Sequence, residues 1–128
     1  MRISHIQGRL EQQQSLSILI ARSLENFTKI PTNDLTFRVI NARLTSLKDN
    51  WDKFSIVHDA IMISINQLSA TDQKLIRSHA YFTDNIYSVT YEHYLECLDR
   101  MNLHLDAEEQ LKEGSSLTQS LSQSTTNQ

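Results

Sequence analysis

LTFRVINARLTSLKDNWDKFSIVHDAIMISINQL, residues 35–68, is the stretch that decides the fold. Within it Phe37, Ile40, Leu44, Leu47, Trp51, Phe54, His58, Ile61, Ile65 and Leu68 follow one another at intervals of three and four without a slip. Nine of those ten are apolar, which is the seam of a long helix packed against other helices. No Pro or Gly interrupts the run, so an unbroken helix here is roughly 50 Å long. Trp51 stands mid-seam and is expected to be the costliest side chain to truncate. Val57, Met62 and Ile63 widen the apolar surface over the last three turns and form a candidate interface.

Upstream, Ile30-Pro31-Thr32-Asn33-Asp34 is the clearest break in the chain. Pro31 pushes Ile30 out of helical geometry, and Thr32 or Asn33 is placed to cap the following helix. So short a connection makes the flanking helices antiparallel neighbours. The first helix is read over residues 3–29, from Ile3, Ile6 and Leu10 and then Leu16, Ile20, Leu24 and Phe27. Between the two halves, Gln12-Gln13-Gln14-Ser15 turns the seam polar and shifts its phase. Gly8 weakens the N-terminal half by about 1 kcal/mol relative to Ala. Residues 1–14 are therefore expected to fray or to lean on a partner, with the glutamines in solvent.

Downstream, Ser69-Ala70-Thr71-Asp72 has the form of a helix start, and a short helix through Arg77 follows. Residues 79–85 read as a turn carrying Tyr81 and Phe82 back onto the bundle end. Asp84 or Asn85 then caps a last helix to about Lys112, with Tyr87, Tyr91, Tyr94, Leu98, Met101 and Leu105 as its seam. Gly114 is well placed to stop it. Residues 114–128 carry no charge, and eleven of those fifteen are Ser, Thr or Gln, too little apolar matter to offset ordering. The expected fold is all-α: an antiparallel, coiled-coil-like long helical hairpin with a third packed helix, residues 1–113, followed by a disordered tail, residues 114–128.

Composition narrows the function. Two Gly and one Pro in 128 residues argue against turn-rich β and α/β folds. A net charge of −3 supplies no footprint for nucleic acid or anionic lipid. Cys97 is alone, so neither an intrachain disulfide nor a multi-cysteine zinc site can form. No run of eighteen apolar residues spans a membrane, and no signal-peptide pattern opens the sequence; the chain is expected to be intracellular and cytoplasmic.

Candidate chemistry is sparse. His93 and Cys97 share a helix face at a four-residue interval, but zinc needs further ligands, and a half-buried Cys beside a surface His is the commoner arrangement. His58 occupies a seam position, where burial lowers a histidine pKa, and a packed ring with one partnered nitrogen is the expected state. No phosphate loop, metalloprotease motif, nucleophile elbow or carboxylate pair is present, so catalysis, cofactor and small-molecule substrate are all expected to be absent.

Two motifs taken together carry a resemblance. Arg43-Leu44 and Leu47-x3-Trp51-x2-Phe54-x3-His58, then Tyr81-Phe82-x4-Tyr87-x6-Tyr94, resemble the N-terminal region of Gag-like polyproteins of insect, ant-type BEL/Pao-like retrotransposons, over roughly residues 10–105. Ala80, where that family often has Pro, and Thr90-Tyr91, in place of an acidic pair, are departures. The resemblance implies a helical module of a structural polyprotein, with no catalytic residue to carry over. The residues by themselves lead to a non-enzymatic protein–protein interaction or self-assembly module. The expected partner is a second copy or another helical protein, and the rival readings are a cellular coiled-coil adaptor and a lipid-surface bundle.

Overall fold

The computed structural model describes residues 3–126, with side chains as far as 111. Five helices follow one another: α1 Ile3–Thr28, α2 Phe37–Asn66, α3 Ala70–Ile76, α4 Ala80–Thr83 and α5 Ile86–Thr126. α1, α2 and α5 pack on one another as a three-helix bundle, and α3 and α4 close one end against α1. The long antiparallel hairpin with a third packed helix is thus the architecture. No helix of the described residues is long and apolar enough to cross a membrane.

Local chemistry sets the boundaries. Past α1, Pro31 opens a single 3-10 turn, Thr32–Asp34, in which the Asp34 N–H donates to Pro31 O at 2.8 Å. Thr32 and Asn33 are used up in that turn, so the cap of α2 is Thr36, whose hydroxyl accepts the Val39 N–H at 3.2 Å. Ser69 caps α3 by accepting from Asp72 N, as its position predicts. His79 caps α4 with a ring nitrogen, Nδ1 accepting the Tyr81 N–H at 3.0 Å. Arg77 lies over the Phe82 ring at 5.9 Å and ties α3 to α4. Asn85 turns the chain into α5 with φ of 50°, a left-handed conformation that Asn tolerates. α5 continues past Gly114 to Thr126, whereas the sequence predicts a stop. The side chains of the expected tail, residues 114–128, lie outside the described residues.

The largest revision concerns α1. Its buried positions are Ile6, Leu10, Gln13, Ser17, Ile20 and Phe27, with Leu24 half-buried, one unbroken 4-3-4-3-4-3 row. The phase does not shift at the glutamines; the row simply passes through a polar residue twice. Ile6 and Leu10 are fully buried, because α3 and α4 cover the N-terminal half that seemed free to fray.

α2 buries Ile40, Leu44, Leu47, Phe54, Ile61 and Ile65 from its expected seam, while Trp51, His58 and Leu68 are half-buried. Phe37 is not a core residue: it is 50% exposed, at the first position of the helix, where the bundle has run out. On α5 the buried row is Thr90, Cys97 and Met101, flanked by half-buried Tyr87, Tyr94 and Leu98. Tyr91 is 41% exposed, so the innermost line lies one residue round the helix from the aromatic row.

Candidate interaction surface

The aromatic face between α2 and α5 follows from two seams running in opposite directions. Trp51, Phe54 and His58 advance at intervals of three and four along α2, and Tyr87, Tyr91 and Tyr94 at four and three along α5. His58 therefore meets Tyr87, the two rings stacked with centroids 4.0 Å apart. Phe54 stacks on Tyr87 at 6.0 Å and forms the buried floor. Trp51 lies parallel to Tyr94 at 5.0 Å and meets Tyr91 at 5.3 Å. These separations fall in the range where aromatic pairs attract beyond simple burial.

The face is not closed over. Tyr91 and Leu95 are exposed, and Trp51, Tyr94 and Leu98 are half-buried beside them. Burial raises the Tyr94 phenol pKa above its ordinary value, and Asp52 and Tyr91 push the same way, so the ring is neutral under ordinary conditions. The surface thus presents amphipathic rings, the residue types enriched at the centres of protein interfaces.

Behind this face lies a polar layer. Gln13 Nε2 donates to Phe54 O at 2.9 Å and to Tyr81 OH at 3.4 Å. His58 Nδ1 and Tyr81 OH are 2.7 Å apart. The phenol thus accepts from Gln13 and shares one further hydrogen with His58 Nδ1, which ties α1, α2 and α4 together at one hydroxyl. Burial lowers the His58 pKa, opposed by Asp59, and raises the Tyr81 pKa to about 12 despite the Gln13 bond. Next to it, Thr90 Oγ1 donates to Ile86 O at 2.6 Å, so Ser17 Oγ, also 2.6 Å away, donates to Thr90. The two polar residues in the α1 row are thereby both satisfied, one toward α2 and α4, the other toward α5.

The remaining candidates separate. Val57 and Met62 are half-buried and packed against the core, and only Ile63 of that expected interface is exposed, at 62%. Ile56, one heptad before Ile63, is 69% exposed and shares its outer face, off the seam. Cys97 is fully buried, and burial first, then Glu96, raises its pKa to about 11, so it stays a thiol and an unreactive one. His93 Nδ1 is buried without a hydrogen-bond partner, and no group of three His, Cys, Asp or Glu side chains able to hold a metal occurs among the described residues.

What sequence reasoning missed is Gln13 and Thr90, polar residues at packing positions. The signal was their place in the three-four register of their neighbours, not their polarity. Comparison with protein-family models, with curated proteins and with solved structures found no match.

Proposed function

We propose that this chain is a non-enzymatic helical interaction module that self-associates through the aromatic face of α2 and α5. The observation that carries the reading is the exposure of Tyr91 and Leu95 beside the half-buried Trp51–Tyr94 stack. Large aromatic and aliphatic groups left partly in water gain most when a second apolar surface covers them. A second copy supplies such a surface without any other component, and two-fold pairing brings the same face against itself. The resemblance of the Trp51-Phe54-His58 and Tyr81-Phe82-Tyr87-Tyr94 motifs to Gag-like retrotransposon polyproteins is compatible with the same reading, because it implies a helical module of a structural polyprotein.

Light scattering on the full chain across the micromolar range tests it. A dimer or larger assembly is expected for the parent. The double variant Tyr91→Gln and Leu95→Gln, which keeps good helix formers on α5, is expected to be monomeric with unchanged circular dichroism. A parent that stays monomeric, or a double variant that assembles like the parent, overturns the proposal. The first outcome moves the weight to an adaptor that waits for a different helical partner.

A further inference from the structure

At the end of the bundle where α1 passes into α2, the connection and the facing turn of α5 enclose a cleft of about 190 Å³. Its floor is apolar: Phe27 is buried, and Ile30 and Leu35 are half-buried. Arg100, a permanent cation, and His104 line it from α5, one turn apart. The His104 ring makes a T-shaped contact with Phe27, centroids 5.3 Å apart. Thr28 and Thr32 complete the lining, and the Thr28 hydroxyl already donates to Glu25 O at 2.7 Å. No Asp or Glu lines the cleft, and Arg100 makes no ion pair among the described residues.

We infer that this cleft binds a carboxylate carried on a short apolar body, with Arg100 as its charged anchor. A guanidinium offers a fork of donors matched to the two oxygens of a carboxylate, and the neighbouring imidazole can add a further donor. The apolar floor takes the hydrocarbon part, which a bare inorganic anion lacks. Size restricts the ligand further. Sites for drug-sized molecules and cofactors occupy about 300 to 1,000 Å³, so this one takes a small branched or aromatic acid, or the terminal residue of a chain. The inference is independent of the self-association proposed above, since it uses neither Trp51 nor Tyr91.

Amide NMR spectra of the full chain, titrated at millimolar concentration, test it. The probes are 4-methylpentanoate, its neutral counterpart 4-methylpentanamide, inorganic phosphate, and an acetylated peptide ending in leucine with a free carboxylate. The acid, the peptide or both are expected to shift the amides of residues 27–35 and 100–104 saturably. The neutral amide is expected to bind at least about tenfold more weakly, and Arg100→Gln to weaken the acid by a similar factor. Arg100 is exposed, so that variant should keep its helices by circular dichroism. A response to the free acid alone assigns a small molecule, a response to the peptide alone a chain terminus, and either supports the carboxylate site. Equal binding of acid and neutral amide overturns it without any mutation. So do shifts lying elsewhere, no shift from either carboxylate, tighter binding of phosphate, or undiminished binding to Arg100→Gln.

Discussion

α2 and α5 carry apolar repeats of nearly the same regularity, yet the two repeats lie differently in the bundle. On α2 the aliphatic members of the repeat between Ile40 and Ile65 are the buried line. On α5 the aromatic repeat runs along the margin, and Thr90 and Cys97, with smaller side chains, hold the centre at 0% exposure. The cause is chemical. An isoleucine or leucine has nothing to keep wet, but a tyrosine must bring its hydroxyl to water or to a partner. Tyr81 illustrates the rule from the other side: it is 1% exposed, and its hydroxyl is bonded to both Gln13 and His58. A row of tyrosines therefore marks the shoulder of a packing face, and the neighbouring row of Thr90, Cys97 and Met101, with no hydroxyl that must reach water, marks its floor.

The sharpest break of that comparison is a truncation series. Phe54→Ala should cost about 3 to 5 kcal/mol, because its ring is fully buried and the space is not readily refilled. Trp51→Ala should cost less than Phe54→Ala, although Trp51 looks from sequence like the largest loss, because Trp51 is only half-buried whereas Phe54 is fully buried. Tyr91→Ala should fall below about 1 kcal/mol. Urea unfolding midpoints at low protein concentration, where self-association does not contribute, give the order directly. Tyr91→Ala as costly as Phe54→Ala would mean that the aromatic row is the floor of α5 after all.

A second measurement asks whether the small-residue line of α5 carries specific contacts. Thr90→Val keeps the shape of the side chain but removes the acceptor of the buried Ser17 hydroxyl. Leaving that group unpaired should cost about 1 to 3 kcal/mol. Adding Ser17→Ala should recover part of the loss, since both ends of the bond are then gone. If the double variant is destabilised by the sum of the single effects, the hydroxyl pair is incidental and only packing fills this line.

Most of the architecture was legible because it rests on local chemistry: the period of α2, the break at Pro31, the Ser69 start and the shortage of turn residues. What was not legible depends on residues far apart in the chain. Three successive glutamines look solvated, and only the arrival of Tyr81 on α4 and the Phe54 carbonyl on α2 gives Gln13 a reason to be inside. Ile6 and Leu10 look weakly held until α3 and α4 fold back over them. Trp51, Tyr91 and Tyr94 were all named from sequence as core, but whether a ring closes over or stays half open is decided by where α5 lies across α2. The cleft at Arg100 and His104 is assembled from the α1–α2 connection and one turn of α5, and neither piece shows it alone.

The smallest expected effect probes the place where α2 and α5 are joined by a titratable ring. The groups facing His58 are Tyr87 on α5, Tyr81 on α4 and Asp59 beside it on α2, while α1 contributes the neutral amide of Gln13. In the fold Nδ1 lies 2.7 Å from the Tyr81 hydroxyl, and burial holds the His58 pKa below its ordinary value of 6.5. As pH falls below 6.5, the unfolded chain takes up a proton on this residue before the folded chain does. The unfolded state then binds more protons, so the stability present above that pH is progressively lost as pH falls to the lowered folded value. The loss should be modest, because the ring is half-exposed and Asp59 offsets part of the burial. Melting temperature followed from about pH 8 to about pH 5.5 should decline for the parent and decline less for His58→Gln, which cannot titrate there. Parallel profiles for the two proteins would mean that protonating His58 costs the fold nothing, and that its burial between α2 and α5 does not set the pH dependence.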